Sequence, residues 1–308
     1  MFGFKKLKRY LRDPKFALGC DLIKKHPNWM SDKFYIETQW RLNMDYPLNL
    51  DNPQTACEKY QWLKLHDHNP LYHTLVDKYE VKNWVADRIG EEHIVKTYAL
   101  YNSVDEIDFD ALPNSFVLKC THNSGGLVVC PDKSKLDRVE AVKTLSEGLS
   151  ICDYYLTNRE WAYKGVKPRI IAEEYIPILG KADSVEYKLF CLDGKVWLTT
   201  VCSGIAHVEY DKRFNDHFDK DGNRLPFYVN YKPAGLELPE TSIYKELVRI
   251  AEILSQNIPH VRVDLYVYNN TIMFGEMTFY TWAGYMDFVP KEYDRILGSW
   301  CELNQKHK

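Results

Sequence analysis

The chain reads as an α+β protein that opens with a helical lead. Three features of its patterning predict this. Apolar spacing is helical through about residue 90. Past residue 115 it switches to short apolar runs separated by Gly, Asp and Asn turn signals. Helical spacing then returns at about 135–163 and 240–256, between those runs.

At the N-terminus, MFGFKKLKRYLRDPKF sets Lys5, Lys6, Lys8, Arg9, Arg12 and Lys15 against one acid, Asp13. On a helix Phe4, Leu7 and Leu11 share a stripe with most of the basic residues opposite. That suits either a solvated amphipathic helix or a peripheral contact of residues 1–16 with the anionic inner face of the cell membrane. Pro14 is expected to end this helix. From 31 to 70 the spacing stays helical, and Asn49, Asp51, Asn52 and Pro53 form a turn before a helix over 56–65. Leu71 to Gly90 reads as one amphipathic helix with Gly90 as its C-cap.

Phe116–Lys119 and Leu127–Cys130 flank THNSGG, the pattern of a hairpin with a glycine-containing loop. Arg169–Ile176 reads as a strand. Tyr187–Leu192 and Lys195–Val201 turn at Asp193-Gly194, and Val261–Tyr268 and Ile272–Phe279 turn at Asn269-Asn270. The polar stretch 209–224 reads as a loop.

With 308 residues, 45% apolar, 27% charged and a net charge of −3, the composition is globular and excludes disordered and collagen-like classes. It offers no global field for a nucleic acid, so anionic ligands must be caught by local donors. The eight cysteines include no Cys-x-x-Cys pair and are expected to be reduced. No apolar run approaches the ~18 residues of a membrane span, and no signal peptide is legible, so the expected location is cytoplasmic.

Asp264 in VRVDLY and Glu276 in FGEMTF lie on the two strands of one hairpin, with 264 expected close to opposite 275. Such a pair suits Mg2+, which takes oxygen ligands and shares them with phosphates; two edge-exposed strand acids are the plain alternative. Lys119 ends an apolar strand beside a loop of small residues, a plausible phosphate cradle. Lys188 sits in the apolar strand SVEYKLF, where an unpaired ammonium is costly and an anion is a natural partner. Neither G-x-x-x-x-G-K-[ST] nor G-x-G-x-x-G occurs.

The order of Lys with glycine loop, EEYI, a hairpin lysine, then RVD and GEMT resembles the ATP-grasp superfamily. Added to LNLDNPQTACEKYQWLKLHDHNP, DKYEVKNWVADRIGEEHIVKTY, DFDALPNSFVLKCTHNSGG and EYKLFCLDGK, it resembles the TupA-like ATP-grasp family of bacterial surface polysaccharide biosynthesis over about 30–300. The resemblance implies an ATP-grasp fold with two α+β lobes clasping ATP. It divides the chain into a helical lead (1–70), a pre-ATP-grasp segment (71–112), a first lobe (113–180) and a second lobe with the metal site (181–308).

By the same resemblance, Lys119 and Lys188 contact nucleotide phosphates, and Asn123, Ser124, Gly125 and Gly126 form the loop that closes over them. Glu173, Glu174, Tyr175 and Ile176 are the hinge that meets adenine, and Lys181 or Asp183 falls at the ribose. Asp264, Glu276 and Thr278 hold Mg2+, with Thr where Asn is usual, and Arg262 faces an acyl phosphate as a catalytic residue with Lys188.

The implied activity is an ATP-dependent carboxylate–amine ligase forming an acyl phosphate, with a carboxylated sugar and an amino acid or other amine as substrates. A phosphotransferase on the same fold, a glycosyltransferase and a non-catalytic nucleotide-binding module are the alternatives. Asp108-Phe109-Asp110 has the D-x-D form a glycosyltransferase would need, but reads as loop. Arg213 is a candidate substrate contact or a solvated loop residue. Lys78 and Lys82 are expected on a solvated helix face, the alternative being that they reach the acceptor site, and His66 and His68 on the surface.

Overall fold

The computed structural model describes residues 13–25, 29–123, 125–151, 154, 158–177, 184–204, 210–301 and 303. The basic stretch 1–12 lies outside them. Pro14 opens a helix rather than ending one: α1 spans Pro14–Lys25, and a proline in the first helical turn forfeits no intrahelical hydrogen bond. α2 (Asp32–Asn43) is capped by the Ser31 hydroxyl, which accepts from the Phe34 N–H. α3 (Ala56–His66) starts with a Thr55/Glu58 capping box. The Glu58 carboxylate also accepts from the N–H groups of Asn49 and Gln54, so one buried acid fastens the preceding turn to the helix.

The stretch expected to be one helix over 71–90 is two, α4 (Leu71–Val76) and α5 (Glu80–Ile89). The break is a tertiary decision. Asp77 is buried and accepts from the N–H groups of Tyr79 and Glu80, and also from Thr121 Oγ1 and Arg169. Gly90, at φ 108°, ends α5.

The first sheet has the order β1–β4–β2–β3, all antiparallel: β1 (Thr97–Tyr101), β2 (Phe116–Cys120), β3 (Leu127–Cys130) and β4 (Ile170–Glu174). Phe116, Leu118 and Cys120 bury one face of β2 with Leu145 of α6 (Arg138–Leu149); Val117 and Lys119 therefore face the other way. The helix expected to run to 163 ends at Leu149, where Asn123 Nδ2 donates to the Gly148 carbonyl at 2.7 Å and satisfies a terminal acceptor from outside.

The second sheet has the order β11–β10–β5–β6–β7–β8. Its strands are β5 (Val185–Leu192), β6 (Lys195–Ser203), β7 (Phe214–Asp219), β8 (Arg224–Leu225), β10 (His260–Tyr268) and β11 (Thr271–Thr278). Both expected hairpin turns form, with positive φ at Asp193 and Gly194 and at Asn269 and Asn270. β7 and the start of β8 fall within the loop expected at 209–224. Strand β7 escapes pattern reading because its buried residues include Asn215, Asp216 and His217. Asp216 is satisfied by Arg224 and by the N–H groups of Ala234 and Leu236.

α7 (Thr241–Leu254) lays Leu247, Ile250, Ala251 and Leu254 over the face of the second sheet that carries Val261, Val263 and Leu265. Alternation then puts His260, Arg262 and Asp264 on the opposite face. The chain closes with a small pairing of β9 (Tyr228–Val229) and β12 (Phe288–Val289), and with α8 (Glu292–Trp300) against α3. Gly298 permits that contact, since a Cβ there would lie 2.3 Å from Gln54 O.

Candidate functional site

The free faces of the two sheets look onto two cavities. The smaller, about 420 Å³, is lined by Lys119 and Val117 from β2, Glu173 and the segment 174–176 from β4, and Lys188, Asp264 and Glu276 from the second sheet. Within it Glu173, only 5% exposed, is bridged by Lys119 and Lys82 at 2.5 Å each. Burial pushes the Glu173 carboxyl up, but the two ammonium groups outweigh it and hold it below its ordinary range. Lys82 also donates to Val95 O and Thr97 Oγ1, and burial lowers its pKa. The solvated face expected for Lys78 and Lys82 is therefore not what forms: both line this cavity, and Lys78 Nζ reaches Asn123 O. The period of α5 signals only that Val81 and Val85 are inside; a lysine beside them can still turn into a cleft.

The centre of the second sheet carries a charged row. Asp264 lies opposite Glu276 on β11 and opposite Lys188 on β5. Folding the hairpin at 269–270 would bring 264 near 275, but a bulge between Asp264 and Leu265 leaves Gly275 as the extra residue and advances Glu276 into register. A Cβ at 275 would meet Asp264 O at 3.0 Å, so glycine suits the position. Arg262 forks onto Asp264 through Nε (2.6 Å) and a terminal nitrogen (2.7 Å), and reaches Glu276 at 3.2 Å and Thr278 at 3.0 Å. Lys188 donates to Asp264 at 2.6 Å and to Glu186 at 3.1 Å.

Arg262 and Asp264 are buried and Lys188 is partly so, at 18% exposure, and each is held by its partners. Burial disfavours the Arg262 and Lys188 cations, but Asp264 outweighs it and raises both pKa values; the same cations, against burial, lower that of Asp264. Glu276, by contrast, is 48% exposed, and both Arg262 and Thr278 Oγ1 donate to its Oε1 at 3.2 Å.

The larger cavity, about 630 Å³, lies on the other side of this row and is lined by Arg262, Thr278, Thr200, Arg213, Asn215 and His217 among others. Lys188 and Glu276 line both cavities. Arg213 donates to Tyr231 Oη at 3.2 Å at this cavity's wall. Pattern reading found neither Thr200, Asn215 and His217 nor Trp282, because they sit on a strand taken for a loop, beside it, or in an irregular turn.

Other expected residues fall elsewhere. The Asn123 side chain is buried, its Oδ1 on Gly125 N and its Nδ2 on Gly148 O; Asn123, Gly125 and Gly126 do not line the smaller cavity. Ser124, Lys181 and Asp183 lie outside the described residues. His66 and His68 are exposed. Asp108 Oδ1 accepts from the N–H groups of Asp110 and Ala111, and Asp110 pairs with Arg138, so this D-x-D is a turn and a surface ion pair. Seven cysteines are free among the described residues. No helix among those residues is long and apolar enough to cross a membrane.

Two sheets facing one cleft, with lysines from both and carboxylates from the second, are the ATP-grasp fold. The family model for TupA-like ATPgrasp matches residues 58–301, and the chain belongs to that family. Among solved structures it is similar to D-cycloserine synthetase DcsG at 12% identity and TM-score 0.42, covering 96% of each chain. It is also similar to D-alanine–D-alanine ligase from Bacillus anthracis complexed with ATP, at 17% identity and TM-score 0.39, covering 67% of this chain and 55% of that one. The ATP-grasp ligase PsnB complexed with minimal precursor matches at 9% identity and TM-score 0.38, over 69% and 55%. The chain thus spans about half the length of the last two. No curated protein matches it significantly.

Proposed function

We propose that the protein is an ATP-dependent carboxylate–amine ligase that joins an amino acid or other amine to a carboxylated sugar in building a bacterial surface polysaccharide, such as capsule, a teichuronic-type polymer or O-antigen. The observation that carries this is the meeting of two cavities at Lys188 and Glu276, which leaves one pocket for a nucleotide and one for an acceptor with a charged row between them. A protein that only bound nucleotide would have no use for the second.

In this reading the adenine lies against 174–176, with Lys181 or Asp183 at the ribose. The phosphates point to Lys119 and Lys188, and the loop 123–126 closes over them. The acceptor carboxylate, held from the larger cavity by Arg262 and Arg213, attacks the terminal phosphorus; the bond to the ADP oxygen breaks and an acyl phosphate forms. Lys188 and Arg262 offset the charge on the transferring group and the acyl oxygen. The amine then displaces phosphate to give the amide. Such chemistry needs positioning and charge neutralisation rather than a protein nucleophile.

The donor set fits Mg2+. Asp264, Glu276 and Thr278 offer hard oxygens on one face, and no cluster of three His, Cys, Asp or Glu residues that could hold a metal occurs among the described residues. Such a partial set suits an ion whose remaining ligands are phosphate oxygens and water. When bound it would neutralise phosphate charge. Arg262 and Lys188 hold Asp264 without it.

The test is ADP and phosphate release with candidate amino acids and uronic acids. Phosphate release that needs both substrates supports the ligase, and a stable phosphorylated product formed without amine refutes it in favour of a phosphotransferase.

A further inference from the structure

The larger cavity keeps polar groups for which the charged row has no use. Asn215 and His217 are more than nine-tenths buried and, two residues apart on β7, share the face that lines this cavity. Each keeps one polar atom without a hydrogen-bond partner among the described residues, Oδ1 of Asn215 and Nε2 of His217. The other ring nitrogen of His217 is engaged by Thr200 Oγ1 at 2.8 Å, and the ring stacks on Phe227 at 4.3 Å and 4°. Its plane is therefore set from both sides. Burial lowers its pKa to about 4, so the ring is neutral.

Trp282 lines the same cavity, 41% exposed. It sits on a strained turn, with Trp282 and Ala283 both left-handed at φ 51° and 52°. Gln61 and Lys64, both buried, hold the turn through hydrogen bonds to Ala283 O and Gly284 O. Tyr231 meets the indole edge-on at 5.5 Å. A large aromatic ring presented at such backbone cost marks a surface kept for contact.

We infer that Asn215 and His217 are specificity residues that read hydroxyl groups of a polyhydroxylated ring, with Trp282 as the platform for its apolar face. This rests on the larger cavity being the acceptor pocket. An amide oxygen needs a donor. Nε2 needs a donor or an acceptor according to whether Thr200 or the ring supplies the proton between them. A hydroxyl serves each case. A carboxylate cannot donate to Oδ1, and it has Arg262, Arg213 and Lys188 in the lining of the same cavity.

The test is calorimetric titration of the full chain, loaded with Mg2+ and a non-hydrolysable ATP analogue, with glucuronate and with cyclohexanecarboxylate, which has the ring and the charge but no hydroxyls. Wild type is expected to bind glucuronate at least about tenfold more tightly, and Asn215→Leu and His217→Leu each to bring the ratio within about threefold while analogue binding is unchanged. Equal binding of the two acids by wild type, no binding of either, or variants that keep the full preference would each overturn the inference. Should a leucine variant fail to fold, wild type is titrated with glucuronate lacking single ring hydroxyls. Loss of about tenfold for at least one supports the inference, and equal affinity for all overturns it. If wild type does not bind the ATP analogue, what fails is the nucleotide reading of the smaller cavity.

Discussion

Replacing Glu173 by Gln would test whether the smaller cavity is organised around one buried carboxylate. Glu173 is 5% exposed and bridges Lys82 (12%) and Lys119 (25%) at 2.5 Å each. Removing one member of a buried pair costs about 3–5 kcal/mol, because the remaining charge is left uncompensated. Here the loss is smaller. Lys119 can swing toward water, and Lys82 keeps Val95 O and Thr97 Oγ1 at 2.6 and 2.8 Å. About 2–3 kcal/mol at pH 7 is expected, measured by urea unfolding of both proteins.

The pH dependence gives a second check. The Glu173 carboxyl is held below its ordinary value by Lys119 and Lys82, against burial. A depressed acid stabilises the fold above its unfolded pKa of about 4.3, and that contribution is lost as pH falls through the folded value. Gln cannot titrate, so the two stability curves should draw together as pH falls below the unfolded value and meet only below the folded one. A difference under about 0.5 kcal/mol at pH 7, or one that persists undiminished in acid, would refute the reasoning.

Further outcomes are expected on the same grounds. Lys119→Ala and Glu276→Gln should abolish ADP release while circular dichroism shows the fold retained, with Lys119→Ala losing some stability because Glu173 then keeps only Lys82; near-normal turnover in either would remove that residue from the site. Gly126→Ala should cost more than about 2 kcal/mol in urea unfolding, because Gly126 has φ 60° and its Cβ would meet Cys120 Sγ at 2.4 Å. Asp264→Asn should lower stability by about 3 kcal/mol, since it weakens the partner of two buried cations, and Asp264→Asn with Lys188→Met should recover part of the loss.

Much of the fold was legible because local rules decided it. The Asp-Gly and Asn-Asn turns need positive φ at both central residues, and those residue types tolerate it, so both hairpins of the second sheet could be placed to within a residue or two. The turn of Asn49, Asp51, Asn52 and Pro53 likewise announces α3. Of the four residues that make the charged row, Lys188 stands out in the sequence as a cation in an apolar strand and Asp264 and Glu276 as a carboxylate pair on one hairpin, while Arg262 is reached only through the family resemblance; the structure brings all four together.

What the pattern missed was set by partners distant in sequence. Asp77 breaks a helix that Leu75, Val81 and Val85 would continue, because Thr121 and Arg169 take its carboxylate. Strand β7 is invisible as FNDHFD, since its buried polar residues are satisfied by β8, by the 234–236 backbone and by Thr200, or left to line a cavity. The exact pairing of Asp264 with Glu276 depends on one bulge at Gly275.

The sequence by itself determined the element types wherever period and turn chemistry act within a few residues, and it singled out Lys188 as a charge that an apolar strand would not tolerate alone. Only the tertiary structure decided where those charges stand. It turned Lys82 inward to Glu173, advanced Glu276 by one residue, and divided the cleft into two cavities that meet at Lys188. Those outcomes rest on burial and on ion pairs across strands, and such energies exist only once the two sheets face each other.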